Sequence, residues 1–210
     1  IDVDGTTNLD VVDIDGAVDM ASTLQVDGAI TFSSTLNGVD ILADATNFTD
    51  SILISQNAGT GTLSSALRNT GLGDSVFAAL TSGDNNTAIG SSAMTANTSG
   101  YDNVAVGRNA LDANTDGHSN TAVGESSLTT NTSGVRNVAV GQNAMAVNTT
   151  GGENIGIGRG ALDANTTASR NVAVGDSALG ANTTAQSNTA VGWSALAANT
   201  TGDQNTAVGA

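Results

Sequence analysis

The chain has no cysteine, no proline and no lysine, and only one tryptophan, one tyrosine and three phenylalanines in 210 residues. Without cysteine there is no disulfide framework, and the redox compartment leaves no mark on the sequence. With so few aromatics the side chains that fill an ordinary globular core are scarce. Basic residues are nearly absent too: 20 acids face 5 arginines, for a net charge of −15. That balance disfavours nucleic acid and anionic membrane as partners, because both call for basic surface. No apolar run approaches the roughly 18 residues of a membrane span, and no basic-then-apolar leader opens the chain. The chain starts at Ile1 and stops inside a repeat at Ala210, and so reads as a fragment of something longer.

What is present is repetition. Asn86, Asn103, Asn120, Asn137, Asn154, Asn171, Asn188 and Asn205 stand 17 residues apart without a slip, and Asn69 begins a looser copy. Each opens a block such as NTAIG (86–90), NVAVG (103–107) or NIGIG (154–158). Self-similarity at a short fixed period marks one structural unit stacked many times, which lowers the odds of an enzyme with a single pocket. The 39% hydrophobic content and the strict period also answer the case for disorder that the Gly, Ser, Thr and Asn content would raise.

Three zones follow: a shaft over 1–36, a connector over 37–68 and the 17-residue array over 69–210. In the array, the residues after each Asn alternate branched, small, branched, as in Val104, Ala105, Val106, which is strand periodicity. A glycine follows in every copy, from Gly73 to Gly209, and calls for positive φ or a contact too close for Cβ. Leu111, Leu128, Met145 and their equivalents read as core anchors, and corners such as ANTTG (198–202) as tight turns whose asparagines can ladder. The branched Val/Ile columns are expected to be buried with the anchors. The bare Ala/Gly face is expected to let another chain approach, so that three chains bury both sides of every strand. Within 1–36, DGAVDMASTL (15–24) recurs as DGAITFSSTL (27–36), with Asp-Gly turn chemistry at each start. A short helical turn near Ser64–Arg68 is a further expectation.

The NTAVG block, the Ala-Leu pair and the ANTTG corner together resemble the head repeats of trimeric autotransporter adhesins, and are more similar still to β-roll segments in tail fibres of tailed bacteriophages. IDVDGTTNLDVVDIDGAV at the start is similar to the shaft repeats of marine phage tail fibres. The resemblance implies an all-β, fibrous β-roll or interleaved β-prism, assembled as a parallel homotrimer. It also implies a virion tail fibre that extends or mediates attachment to a host-surface polysaccharide or protein receptor.

Opposite charges recur one coil apart: Arg108 and Glu125, Arg159 and Asp176, and the run Arg136, Glu153, Arg170. These read as surface ladders that support register and solubility. Tyr101, His118 and Trp193 occupy variable columns and are the candidate ligand-binding residues, since exposed aromatics can stack on sugar rings. The competing reading is scattered surface residues. One histidine and no cysteine offer neither a metal cage nor a Ser-His-Asp set, so no catalytic site, metal or cofactor is expected. Asp2-Val-Asp4-Gly5 and Asp13-Ile-Asp15-Gly16 begin like calcium loops but lack the later Glu, and read as turns. Asn97, Asn131 and Asn148 match the glycosylation pattern and read as turn residues. Two alternatives stand beside the fibre. One is a monomeric β-solenoid that binds ice through the threonine column Thr98 to Thr200; the other is a bacterial surface adhesin or filament component.

Overall fold

A computed structural model describes residues 40–45, 48–55 and 61–209. All lie in the second of two units, Ser34–Ala210. The shaft repeats expected over 1–36, with their two calcium-loop-like starts, fall outside the described residues.

Among the described residues two longer strands come first, β1 (Asp40–Ala45) and β2 (Phe48–Ser55), paired antiparallel. Nine three-residue strands follow: β3 (Thr70–Leu72), β4 (Thr87–Ile89), β5 (Val104–Val106), β6 (Thr121–Val123), β7 (Val138–Val140), β8 (Ile155–Ile157), β9 (Val172–Val174), β10 (Thr189–Val191) and β11 (Thr206–Val208). From β2 onward every neighbour is parallel, in the order of the chain, so the array is a parallel β-solenoid. From β3 the register advances by one repeat per coil, as in Val104↔Thr121 and Thr121↔Val138. The segment read as a connector thus supplies the hairpin that starts the sheet. Ser64–Arg68 is not a helical turn: Ser64 N–H donates to Thr81 O at 2.8 Å, across to the next coil.

The faces of the strands are the reverse of the expectation. The central small residue points inward, with Ala88, Ala105, Ala122, Ala139, Ala173 and Ala190 fully buried. The branched neighbours point outward: Ile89, Val104, Ile155, Ile157 and Val191 are all more than a third exposed. The reason is lumen width. Across from the strand stands the anchor column, including Met94, Leu111, Leu128, Met145, Leu162 and Leu179, each fully buried. Against one large side chain per coil, flanked by two buried asparagines, only Ala or Gly fits. At Gly156, where even the methyl is absent, the Met145 side chain comes to 3.3 Å from where Cβ would stand. The Ala/Gly face is therefore no subunit contact.

The repeat glycine meets both conditions expected of it. Gly107 has φ 134°, and a Cβ there would sit 2.5 Å from Gly124 O in the next coil. Less expected is the anchor itself: Leu111 and Leu128 adopt φ 51° and 50°, in the left-handed region that costs an L-residue roughly 1–2 kcal/mol. The surroundings hold that conformation in place. Leu128 N–H donates to Ala144 O of the next coil at 3.0 Å, while its side chain fills the lumen.

Two asparagine ladders complete the interior. In the first, Oδ1 of Asn120 accepts from both the backbone N–H and Nδ2 of Asn137, at 3.0 and 3.1 Å. In the second, Asn131 Nδ2 donates to Asn114 Oδ1 at 2.9 Å. Both columns also donate to one corner carbonyl: Gly134 O accepts from Asn120 at 2.8 Å and from Asn131 at 3.1 Å. Among the described residues no buried side-chain polar atom lacks a partner. Where the first ladder meets the hairpin, Ser51 Oγ replaces asparagine and accepts from Asn69 N–H at 2.8 Å.

Candidate functional surface

Because each coil is nearly identical, what differs between coils lies on the outside, and any recognition must be built from the variable columns. Three charge pairs form between successive coils: Arg108 with Glu125, Arg136 with Glu153 at 3.4 Å, and Arg159 with Asp176 at 2.9 Å. The Ser177 hydroxyl, helped by the Arg159 guanidinium, holds the Asp176 carboxyl below its ordinary range. Burial pushes the Asp163 carboxyl up. The expected third rung is different: Arg170 Nη2 donates to Gln186 Oε1 at 3.1 Å and pairs with no carboxylate among the described residues.

Of the three aromatic candidates, two come together. Tyr101 and His118 lie one coil apart in the same column and stack, with centroids 4.5 Å apart and planes 9° from parallel. Trp193 stands on another column, two thirds exposed, and does not join them. Further along the Tyr101–His118 column lies a cleft of about 330 Å³ that includes Val135, Gly152, Glu153, Ser169, Arg170 and Gln186 in its lining. Sequence reasoning missed it. The signal was a glycine at a position where other coils carry side chains.

The threonine column considered for ice is occupied internally. Thr98, Thr132 and Thr149 each donate their hydroxyl to the next coil's threonine carbonyl, at 3.0, 3.2 and 3.1 Å. Asn97, Asn131 and Asn148, which match the glycosylation pattern, are fully buried in the second ladder. Among the described residues no group of His, Cys, Asp or Glu could hold a metal, and no helix is long and apolar enough to cross a membrane.

The surface with the fewest charges is the outward strand face. Not one outward position of β3–β11 is charged, in a chain of net charge −15. Nine strands at about 4.8 Å make it about 38 Å long. The charge pairs stand at positions flanking it, Arg108 with Glu125 and Arg159 with Asp176 on one side, Arg136 with Glu153 on the other, where Arg170 also lies. No protein-family model, curated protein or solved structure matches the chain.

Proposed function

We propose that this chain is a segment of a homotrimeric viral tail fibre, of the marine tailed-phage type, that acts outside the cell as shaft and adhesion module without catalysis. Its first partners are two further copies of itself; its second is a polysaccharide or protein receptor on a host surface. The observation that carries this reading is the outward strand face: long, uncharged, rich in Val, Ile and Thr, and bordered by charges. An apolar centre with a polar rim is the anatomy of a protein interface, and patches of this extent on a monomer mark contact sites. Three copies meeting through this face would bury the branched columns that the single coil leaves outside. The Ala/Gly column would then serve the lumen of each chain.

A second reading is favoured by the same face. A regular array of Thr and Val left open to water suits a monomeric ice-binding solenoid. The two readings compete for one surface, so the solution mass of residues 1–210, measured by sedimentation at several concentrations, separates them. A mass near three chains throughout is expected. A well-folded monomer would overturn the fibre and move ice binding, read as thermal hysteresis, to the front.

A further inference from the structure

Tyr101, His118, Val135, Gly152, Ser169 and Gln186 are successive members of one column, one coil apart. Backbone hydrogen bonds keep these coils in register at this corner: Arg136 N–H donates to His118 O at 3.1 Å, Glu153 N–H to Val135 O at 2.9 Å and Arg170 N–H to Gly152 O at 3.1 Å. The Tyr101–His118 stack, at 4.5 Å, shows that one layer of the column accommodates one flat ring. At Gly152 the layer carries no side chain, and the cleft opens there.

Glycine is not demanded by the backbone at this point. The φ of Gly152 lies outside the left-handed region, unlike that of the repeat glycines. An added Cβ would come to 3.0 Å from Val135 O, so that carbonyl would have to give by a few tenths of an ångström. What glycine does here is leave a slot between Val135 and Ser169, where this layer of the column has no side chain.

The walls of the slot differ in chemistry. Val135 is apolar. Opposite it, Ser169 Oγ accepts from Gly152 N–H at 3.1 Å, and Thr150 contributes a second hydroxyl to the lining. At the rim stand a carboxylate and a guanidinium. Glu153 accepts from Arg136 at 3.4 Å, and Arg170, bonded to Gln186, has no carboxylate of its own among the described residues. A ligand that satisfies this set needs a flat apolar face for Val135. It also needs hydroxyls that donate to Glu153 and accept from Arg170. The chain's net charge of −15 disfavours an anionic ring, and a bare aromatic ring would leave the rim groups desolvated without partners.

We infer that the Gly152 slot is a binding subsite for a neutral pyranose ring of a surface polysaccharide. The inference rests on the adhesive reading above and places its contact on the Tyr101–Gln186 column. One monosaccharide in an open slot implies weak, millimolar affinity, multiplied where several copies are presented together.

The test is saturation-transfer NMR on residues 1–210 with the methyl glycosides of glucose, galactose and mannose. Transfer is expected to at least one of them, concentrated on the ring protons of one face. Gly152→Val, which fills the slot, and Arg170→Gln, which leaves it open but removes the guanidinium, should each weaken binding about tenfold or more. Circular dichroism checks that both variants keep the fold. Absence of transfer to all three glycosides, or transfer undiminished in both variants, overturns the subsite. A trimer that shows no transfer refutes the slot and leaves the fibre standing; a monomer that binds a glycoside does the reverse.

Discussion

Replacing Asn137 by alanine removes a central rung of the longer amide ladder, and the cost can be worked bond by bond. The Asn137 amide donates to Asn120 Oδ1 at 3.1 Å and to Gly151 O at 2.8 Å. Its own Oδ1 accepts from the backbone N–H and Nδ2 of Asn154, at 3.0 and 3.2 Å. Two of the former partners keep a bond: Asn120 Oδ1 still receives Asn137 N–H at 3.0 Å, and Gly151 O still receives Asn148 Nδ2 at 3.0 Å. The loss therefore falls on Asn154, whose backbone N–H and one amide hydrogen are left buried without an acceptor. At about 1–3 kcal/mol for each orphaned donor, Asn137→Ala should cost about 2–6 kcal/mol. Urea unfolding measures it, with Gln142→Ala as the exposed reference expected within about 0.5 kcal/mol of the parent. Because each coil contacts only its neighbours, amide exchange should rise most in the coils that contain Asn120, Asn137 and Asn154. A cost for Asn137→Ala within about 1 kcal/mol of that for Gln142→Ala would refute the ladder as a source of stability.

Leu128→Ala empties the one large side chain of its coil and should cost about 2–5 kcal/mol in the same unfolding assay; a loss below that would mean the lumen is not the core. Gly124→Ala forces a methyl to 2.6 Å from Gly141 O at φ 133°, so its melting temperature should fall well below that of Ala113→Gly, an exchange outside the closely packed glycine column. Arg159→Ala breaks an exposed pair and should change stability by less than about 1 kcal/mol; a larger loss would give the surface ladders a structural weight this account denies them. Val123→Lys puts a charge on the outward strand face and should leave the circular dichroism of the coil intact while lowering the sedimenting mass. An unchanged mass would remove that face from the interface.

The strand, the turn glycine and the anchor column were legible because each repeats one kind of side chain at a fixed spacing. Gly73 to Gly209 write one physical demand nine times, and the large apolar anchor, Phe77 and then leucine or methionine, writes another eight times. The direction of the strand faces was not legible from alternation. A period of two separates Val104 and Val106 from Ala105 but does not say which side is inside, and the habit of burying branched residues pointed the wrong way. The missing information was the lumen's width, set by a leucine or methionine and two asparagines that come together only when the coil closes. The left-handed φ of Leu111 and Leu128 was hidden for another reason, since leucine carries no preference for that region and only cross-coil hydrogen bonds hold it there. The charge pairs followed from spacing alone, except at Arg170, where Gln186 one coil on accepts the guanidinium. The Tyr101–His118 stack follows from their 17-residue separation, whereas the cleft beside Gly152 arises from a side chain that is not there.

The absence of cysteine makes the central claim, that copies of this chain meet through the outward strand face, directly measurable. A single cysteine is placed at Val123 on that face, or at exposed Ser133 on the corner away from it, and each protein is treated with a short bismaleimide. In a parallel trimer built as proposed, equivalent Val123 positions approach one another, so Val123→Cys should cross-link covalently at low protein concentration while Ser133→Cys stays single. Cross-linking at Ser133→Cys and not at Val123→Cys, or at neither, would contradict the account.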